Sequence, residues 1–190
     1  MNHRFLSKMA RIAGFVFVAA IIAAPYASAS IPNASPQEPR SRQNLVREVR
    51  HQLLLLPYYS VFDNLAYKVE GDKVILEGQV TRPTLKSDAE AAVKSIEGVS
   101  SVVNNIEVLP LSPMDDQIRR AVYRAIYGDG ALFRYGESAV PSIHIIVKNG
   151  NVTLEGVVDS EADKNMAYLR ASSVPNVFSA KNNLVVASSK

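Results

Sequence analysis

The chain has 190 residues, 47% of them hydrophobic, which is enough apolar material for one core or two small ones. It contains no cysteine, so disulfides, thiolate metal sites and a lipid-modified N-terminal cysteine are excluded. The formal charge of +3 misleads: Arg4, Lys8 and Arg11 precede every acidic residue, and taking these three from the 21 basic residues leaves 18 against 18 acidic ones. Binding of nucleic acid through overall charge therefore lacks support.

The first element is "MNHRFLSKMARIAGFVFVAAIIAAPYASAS", which has a basic start, an apolar run from Ile12 to Ala24, Pro25 as a breaker and Ala27-Ser28-Ala29 as a small-residue cleavage site. An uncharged run of roughly thirteen residues falls short of the ~20 that span a bilayer. Residues 1–29 are thus expected to be a signal peptide cut before Ser30, making the mature protein periplasmic or secreted. Residues 30–42, "SIPNASPQEPRSR", are rich in Pro and Ser without apolar period and read as a flexible linker.

Beyond the linker the chain repeats itself. A shift of 78 positions aligns Leu65 to Val108 with Ile143 to Val186 without a gap. Each copy begins with a helix: Leu45, Val49, Leu53 and Leu56 form an apolar stripe in the first, and Ile118, Ala121, Val122, Ala125 and Ile126 in the second, where Ser112-Pro113 caps and Asp115 takes the capping-box position. A hairpin follows. Leu65, Tyr67 and Val69 alternate before "EGDK" and Val74, Leu76, Gly78 and Val80 after it; the second copy has Ile143, Ile145, Val147, then "KNGN", then Val152, Leu154, Gly156 and Val158. Gly78 and Gly156 are read as sites where a helix crosses the strand closely. A second helix starts at Pro83 or after Ser160 and ends at Gly98 or Asn176, the residue types that accept a left-handed cap. A third strand closes each unit, "VSSVVNNIEVL" and "VFSAKNNLVVA". The expected fold class is α+β: two tandem α-β-β-α-β domains, residues 43–110 and 111–187, each a three-stranded mixed sheet covered on one face by two helices.

The pattern Val-x-Leu-x-Gly-x-Val after a hairpin turn, then a helix, then Gly-Val and a strand ending in Asn-x-x-Val, resembles the BON domain (bacterial OsmY and nodulation). The resemblance covers about Asn44 to Leu109 and Ser112 to Ala187. It implies phospholipid-membrane association and envelope-stress protection in the periplasm, with no cofactor. The second copy departs from it through about five extra residues between its first helix and first strand, within Gly128 to Ser142.

Catalytic constellations are missing from the pattern. His51 and His144 fall in different repeats, lack metal-ligand spacing and are expected at the surface or rim. Glu77 and Glu155 belong to separate sheets and are read as solvated strand residues. There is no Gly-x-Ser-x-Gly elbow, cysteine nucleophile or phosphate loop. An enzyme is not expected.

The best candidate is the polar face of the second repeat's first helix. At 100° per residue, Arg119, Arg120, Tyr123, Arg124 and Tyr127 project opposite Ile118, Val122 and Ile126. Guanidiniums grip phosphate and tyrosine favours the polar-apolar boundary, so an anionic phospholipid surface is the expected partner. Arg47, Arg50, His51 and Leu54 make a weaker counterpart in the first repeat, while Tyr58, Tyr59, Val61 and Phe62 are expected to seal the end of a core. On the helix-free face the second sheet should show Ile146, Val157 and Val185, a patch expected to be covered by the other repeat, the extra loop or a partner envelope protein. Docking of envelope proteins there is the alternative function.

Overall fold

The computed structural model describes residues 37–187, with side chains from Arg42 onward. The expected signal peptide and its cleavage site lie outside these residues, as does most of the linker. The element order is α1 (Gln37–Leu54), β1 (Asn64–Glu70), β2 (Lys73–Val80), α2 (Pro83–Lys94), β3 (Ser101–Asn104), β4 (Glu107–Val108), α3 (Pro113–Tyr127), a single 3-10 turn (Phe133–Gly136), β5 (Ile143–Lys148), β6 (Asn151–Val158), α4 (Glu161–Ser172), β7 (Ser179–Asn182) and β8 (Val185–Val186). Helix α1 starts inside the segment read as linker, because a proline within the first turn, here Pro39, costs no intrahelical hydrogen bond.

Each repeat is a mixed sheet with its two helices packed over one face. β1 pairs antiparallel with β2, and β3 and β4 both lie parallel to β2; β5, β6, β7 and β8 repeat this arrangement. The third strand position is therefore held by two pieces. The break has a side-chain cause: the Asn104 amide donates to the Lys86 carbonyl of α2 while its oxygen accepts from the Ile106 N–H, and Ile106 drops into the core. Asn182, Lys164 and Leu184 do the same in the second repeat.

The hairpin turns follow their residues. Asn149 and Gly150 both have positive φ (51° and 76°), as a type I′ turn requires, whereas in the first repeat only Gly71 does (66°), the pattern of a type II′ turn. Gly98 and Asn176 do adopt positive φ (89° and 69°), but in the turn that leads to the third strand; the helices themselves end earlier, at Lys94 and Ser172, with Ser95 and Ser173 as right-handed caps. Gly78 and Gly156 differ from expectation. With φ of +117° and +120°, a side chain there would lie 2.0 Å from the carbonyl oxygen of Asn64 or Ser142. The neighbouring strand, not a crossing helix, excludes the Cβ.

Two cores result. Val49, Leu53, Val74, Leu76, Leu85, Ala89 and Val93 centre the first, and Ile118, Val122, Ile126, Ile143, Ile145, Leu154 and Ala167 the second. The second core also contains Val61, with Phe62 packed against it. Those residues come from the α1–β1 loop of the first repeat, so this loop seals the neighbour's core as well as its own, where Tyr59 packs. The Val61 carbonyl accepts from the Ile145 N–H at 2.8 Å, occupying the outer edge of β5.

Candidate functional site

Helix α3 begins at Ser112, whose hydroxyl accepts from the Asp115 N–H at 3.2 Å. The Asp115 carboxylate does not return to the cap. It is buried and accepts from the Asn149 and Gly150 N–H groups at 2.9 and 2.8 Å, pinning the β5–β6 turn to the helix start. The apolar side of α3 then packs on the sheet through Ile118, Val122 and Ile126.

Of the five side chains assigned to the polar face, two are elsewhere. Arg119 is only 5% exposed; its guanidinium donates to the Val147 carbonyl at 2.7 Å and pairs with Asp116 at 2.5 Å. Tyr127 is buried and donates its hydroxyl to the Ile143 carbonyl at 2.5 Å. Burial pushes this phenol well above its ordinary pKa, with Tyr123 adding to the effect, so it stays a neutral donor. Both residues satisfy outward-facing carbonyls of edge strand β5, on either side of the Ile145 N–H taken by Val61. They are removed from the polar face for that reason: a residue at the margin of the apolar stripe meets the sheet edge, and a long side chain reaches it.

Arg120, Tyr123 and Arg124 remain exposed. Among the described residues neither arginine forms an ion pair, in contrast to Arg119. Tyr123 is 41% exposed and is held from behind, 4.9 Å from the Tyr127 ring and edge-on to Phe62 at 6.2 Å. The face therefore offers two free guanidiniums beside a braced phenol. In the first repeat, Arg50, His51 and Leu54 are exposed on α1, and Leu55 and Tyr58 extend that surface, with Arg82 stacked 4.8 Å from the Tyr58 ring centre.

The helix-free face of the second sheet divides. Ile146 is buried on the floor of a cleft of about 490 Å³ between the repeats, lined also by Gln79, Glu107 and Leu109 of the first repeat and by Thr153, Glu155 and Lys181 of the second. Val157 and Val185, paired in register, stay 48% and 61% exposed. Only Ile146 has the expected cover, because the first repeat reaches one end of the face. The repeats are joined across this region by a Lys148–Glu107 ion pair and by His144, whose ring stacks on Tyr59 at 5.5 Å and 13°. His144 is thus buried, not at the rim. His51 is exposed, and Glu77 and Glu155, in separate sheets, bind Lys68 and Asn183.

The extra loop is a packed structure. Leu132 and Tyr135 are buried, the Tyr135 and Arg134 side chains both donate to the Asp163 carboxylate at 2.9 and 2.8 Å, and Arg170 of α4 holds Asp129. Hydrogen bonds from Ser160 first, then from Tyr135 and Arg134, hold the Asp163 carboxyl below its ordinary pKa of 3.8. Sequence reasoning missed two buried aspartates, Asp63 and Asp163, and gave the third, Asp115, only a capping role. Each stands third after a serine, in Ser-x-x-Asp, which was the available signal.

Among the described residues no group of three or more His, Asp or Glu side chains could hold a metal ion, and no helix is long and apolar enough to cross a membrane. The family model of the BON domain matches residues 42–110 and 114–188. A search of curated protein sequences finds no match. Two solved structures of CdsD, a structural protein of the type III secretion system of Chlamydia trachomatis, align at 13% identity. One, of the C-terminal domain, covers 76% of this chain and 98% of its own with a TM-score of 0.31; the other covers 76% and 94% with 0.30.

Proposed function

The chain belongs to the BON domain family, with two tandem copies, and on that basis we propose that it is a non-enzymatic protein of the cell envelope that associates peripherally with anionic phospholipid. The observation that carries this reading is the exposed α3 face, where Arg120 and Arg124 lack acidic partners among the described residues and flank a braced Tyr123. A guanidinium can give a lipid phosphate two hydrogen bonds, and a tyrosine ring settles at the headgroup boundary. Tyr127 supports the Tyr123 ring from beneath. Location in the periplasm or outside the cell rests on the expected signal peptide, and envelope maintenance or stress protection is the role this family membership supports best.

The affinity should be modest. Each arginine near an anionic surface contributes about 1 kcal/mol, so losing both weakens binding by about 2 kcal/mol, or roughly thirtyfold. The test is co-sedimentation of the chain from Ser30 onward with vesicles containing phosphatidylglycerol, against vesicles of phosphatidylcholine alone. Binding should need the anionic lipid, decline with salt and disappear in the Arg120→Glu/Arg124→Glu variant. Unchanged binding by that variant overturns the assignment.

A second reading, docking of an envelope protein on the second sheet, is favoured by one observation: Val157 and Val185 lie exposed side by side on its helix-free face. A Val157→Lys/Val185→Lys variant that retains vesicle binding but loses a captured envelope partner would favour it.

A further inference from the structure

The contact between the repeats is built around a group whose charge changes near neutral pH. His144 alternates with Ile143 and Ile145 onto the helix-free face of its sheet, where water would reach it in an isolated repeat. Here the 57–63 loop of the first repeat lies over it. Tyr59 stacks on the ring, the next residue's N–H is bonded to Val61, and Nδ1 is buried with no hydrogen-bond partner among the described residues.

The charged and titratable groups around it are few. From the loop come Tyr59 and Asp63; from β6 comes Glu155, directly opposite His144 in register; and farther along β5 Lys148 pairs with Glu107 of the first repeat. The Asp63 carboxylate is committed to Ser60 and Thr81, and Glu155 accepts from Asn183. The Tyr59 phenol is pushed up to about 12 by burial and stays neutral. None of these carboxylates bonds Nδ1 in the docked arrangement.

We propose that His144 is a proton-sensitive latch: the first repeat's loop stays docked on β5 while the imidazole is neutral and loosens when it takes up a proton. The sign follows from burial, which lowers the imidazole below its ordinary 6.5 and outweighs the opposing effects of the Asp63 and Ser60 backbone and the Asp63 charge. A docked state that resists the proton is at full strength above pH 6.5 and weakens as pH falls below it. The latch does not depend on the lipid reading.

The test follows the Ile145 amide, whose exchange with solvent reports its bond to Val61. NMR exchange rates, corrected for the intrinsic effect of pH, should show its protection falling several-fold between pH 7.5 and 5.5. One linked proton limits that fall to about tenfold. Leu76, inside the first sheet, should keep its protection, and His144→Phe, which preserves a ring against Tyr59, should hold Ile145 equally protected at both pH values. Unchanged Ile145 protection in the native chain, or an equal loss in His144→Phe, overturns the latch. So does a direct titration of the native rings in which His144 protonates at the same pH as exposed His51 or a higher one, a measurement that needs no substitution.

Discussion

Removing the Asp63 carboxylate should destabilise both repeats together. This side chain is fully buried and accepts four hydrogen bonds: from the Ser60 N–H at 3.0 Å, the Ser60 hydroxyl at 2.6 Å, the Thr81 N–H at 2.6 Å and the Thr81 hydroxyl at 2.8 Å. It thereby ties the loop that caps the second core to the end of β2 in the first. In Asp63→Ala the hydroxyls can turn to other partners, but two backbone N–H groups lose theirs. Each buried, unpaired amide costs about 1–3 kcal/mol, and partial access of water at Ser60 and Thr81 favours the lower half, so a loss of about 2–4 kcal/mol is expected for the two. Against a typical total of about 5–15 kcal/mol this is a large fraction. Asp63→Asn keeps one acceptor oxygen but turns an amide NH2 toward donors, and should lose about half as much. Urea titration of the chain from Ser30 onward, followed by circular dichroism, measures both. A loss under about 1 kcal/mol in Asp63→Ala, or an Asn variant as stable as the native chain, would refute the clamp.

Gly156→Ala should destabilise by about 2–4 kcal/mol, since its Cβ would collide with the Ser142 carbonyl at a φ that L-residues avoid; a thermal melt within a degree of the native chain would contradict this. The Asp163 carboxyl, held below 3.8, contributes stability above that value and loses it as pH falls through its folded pKa. The stability difference between the native chain and Asp163→Asn should therefore be constant from pH 7 to 5 and shrink below pH 4. A difference unaltered down to pH 2.5 would show that the carboxylate's charge is irrelevant to the loop.

The architecture was legible because local chemistry dictates it. Alternation in Val74-Leu76 and Val152-Leu154, the Asn149-Gly150 turn, the Ser112 and Ser160 caps and the left-handed Gly98 and Asn176 all act within a few residues of themselves. The candidate face was legible in part. A helical projection locates Arg120 and Arg124 relative to their own stripe, but it contains no information about the edge of β5, which draws Arg119 and Tyr127 inward. His144 was misplaced for a related reason: alternation separates the two faces of a strand, yet whether the outer face meets water depends on a loop about eighty residues earlier in the chain. Asp116 also neutralises one of the three arginines in the helical projection, through a side-chain rotamer that the spacing alone does not fix.

The Val61 carbonyl on β5 has a practical consequence for dissecting the molecule. A fragment starting at the second sequence repeat would carry its whole hydrophobic pattern but would leave a strand edge with an unanswered amide and an uncovered flank where Val61 and Phe62 had been. Such a fragment invites self-association, and clumping by it would say nothing about the intact chain. The autonomous unit of this polypeptide is larger than the unit that was duplicated.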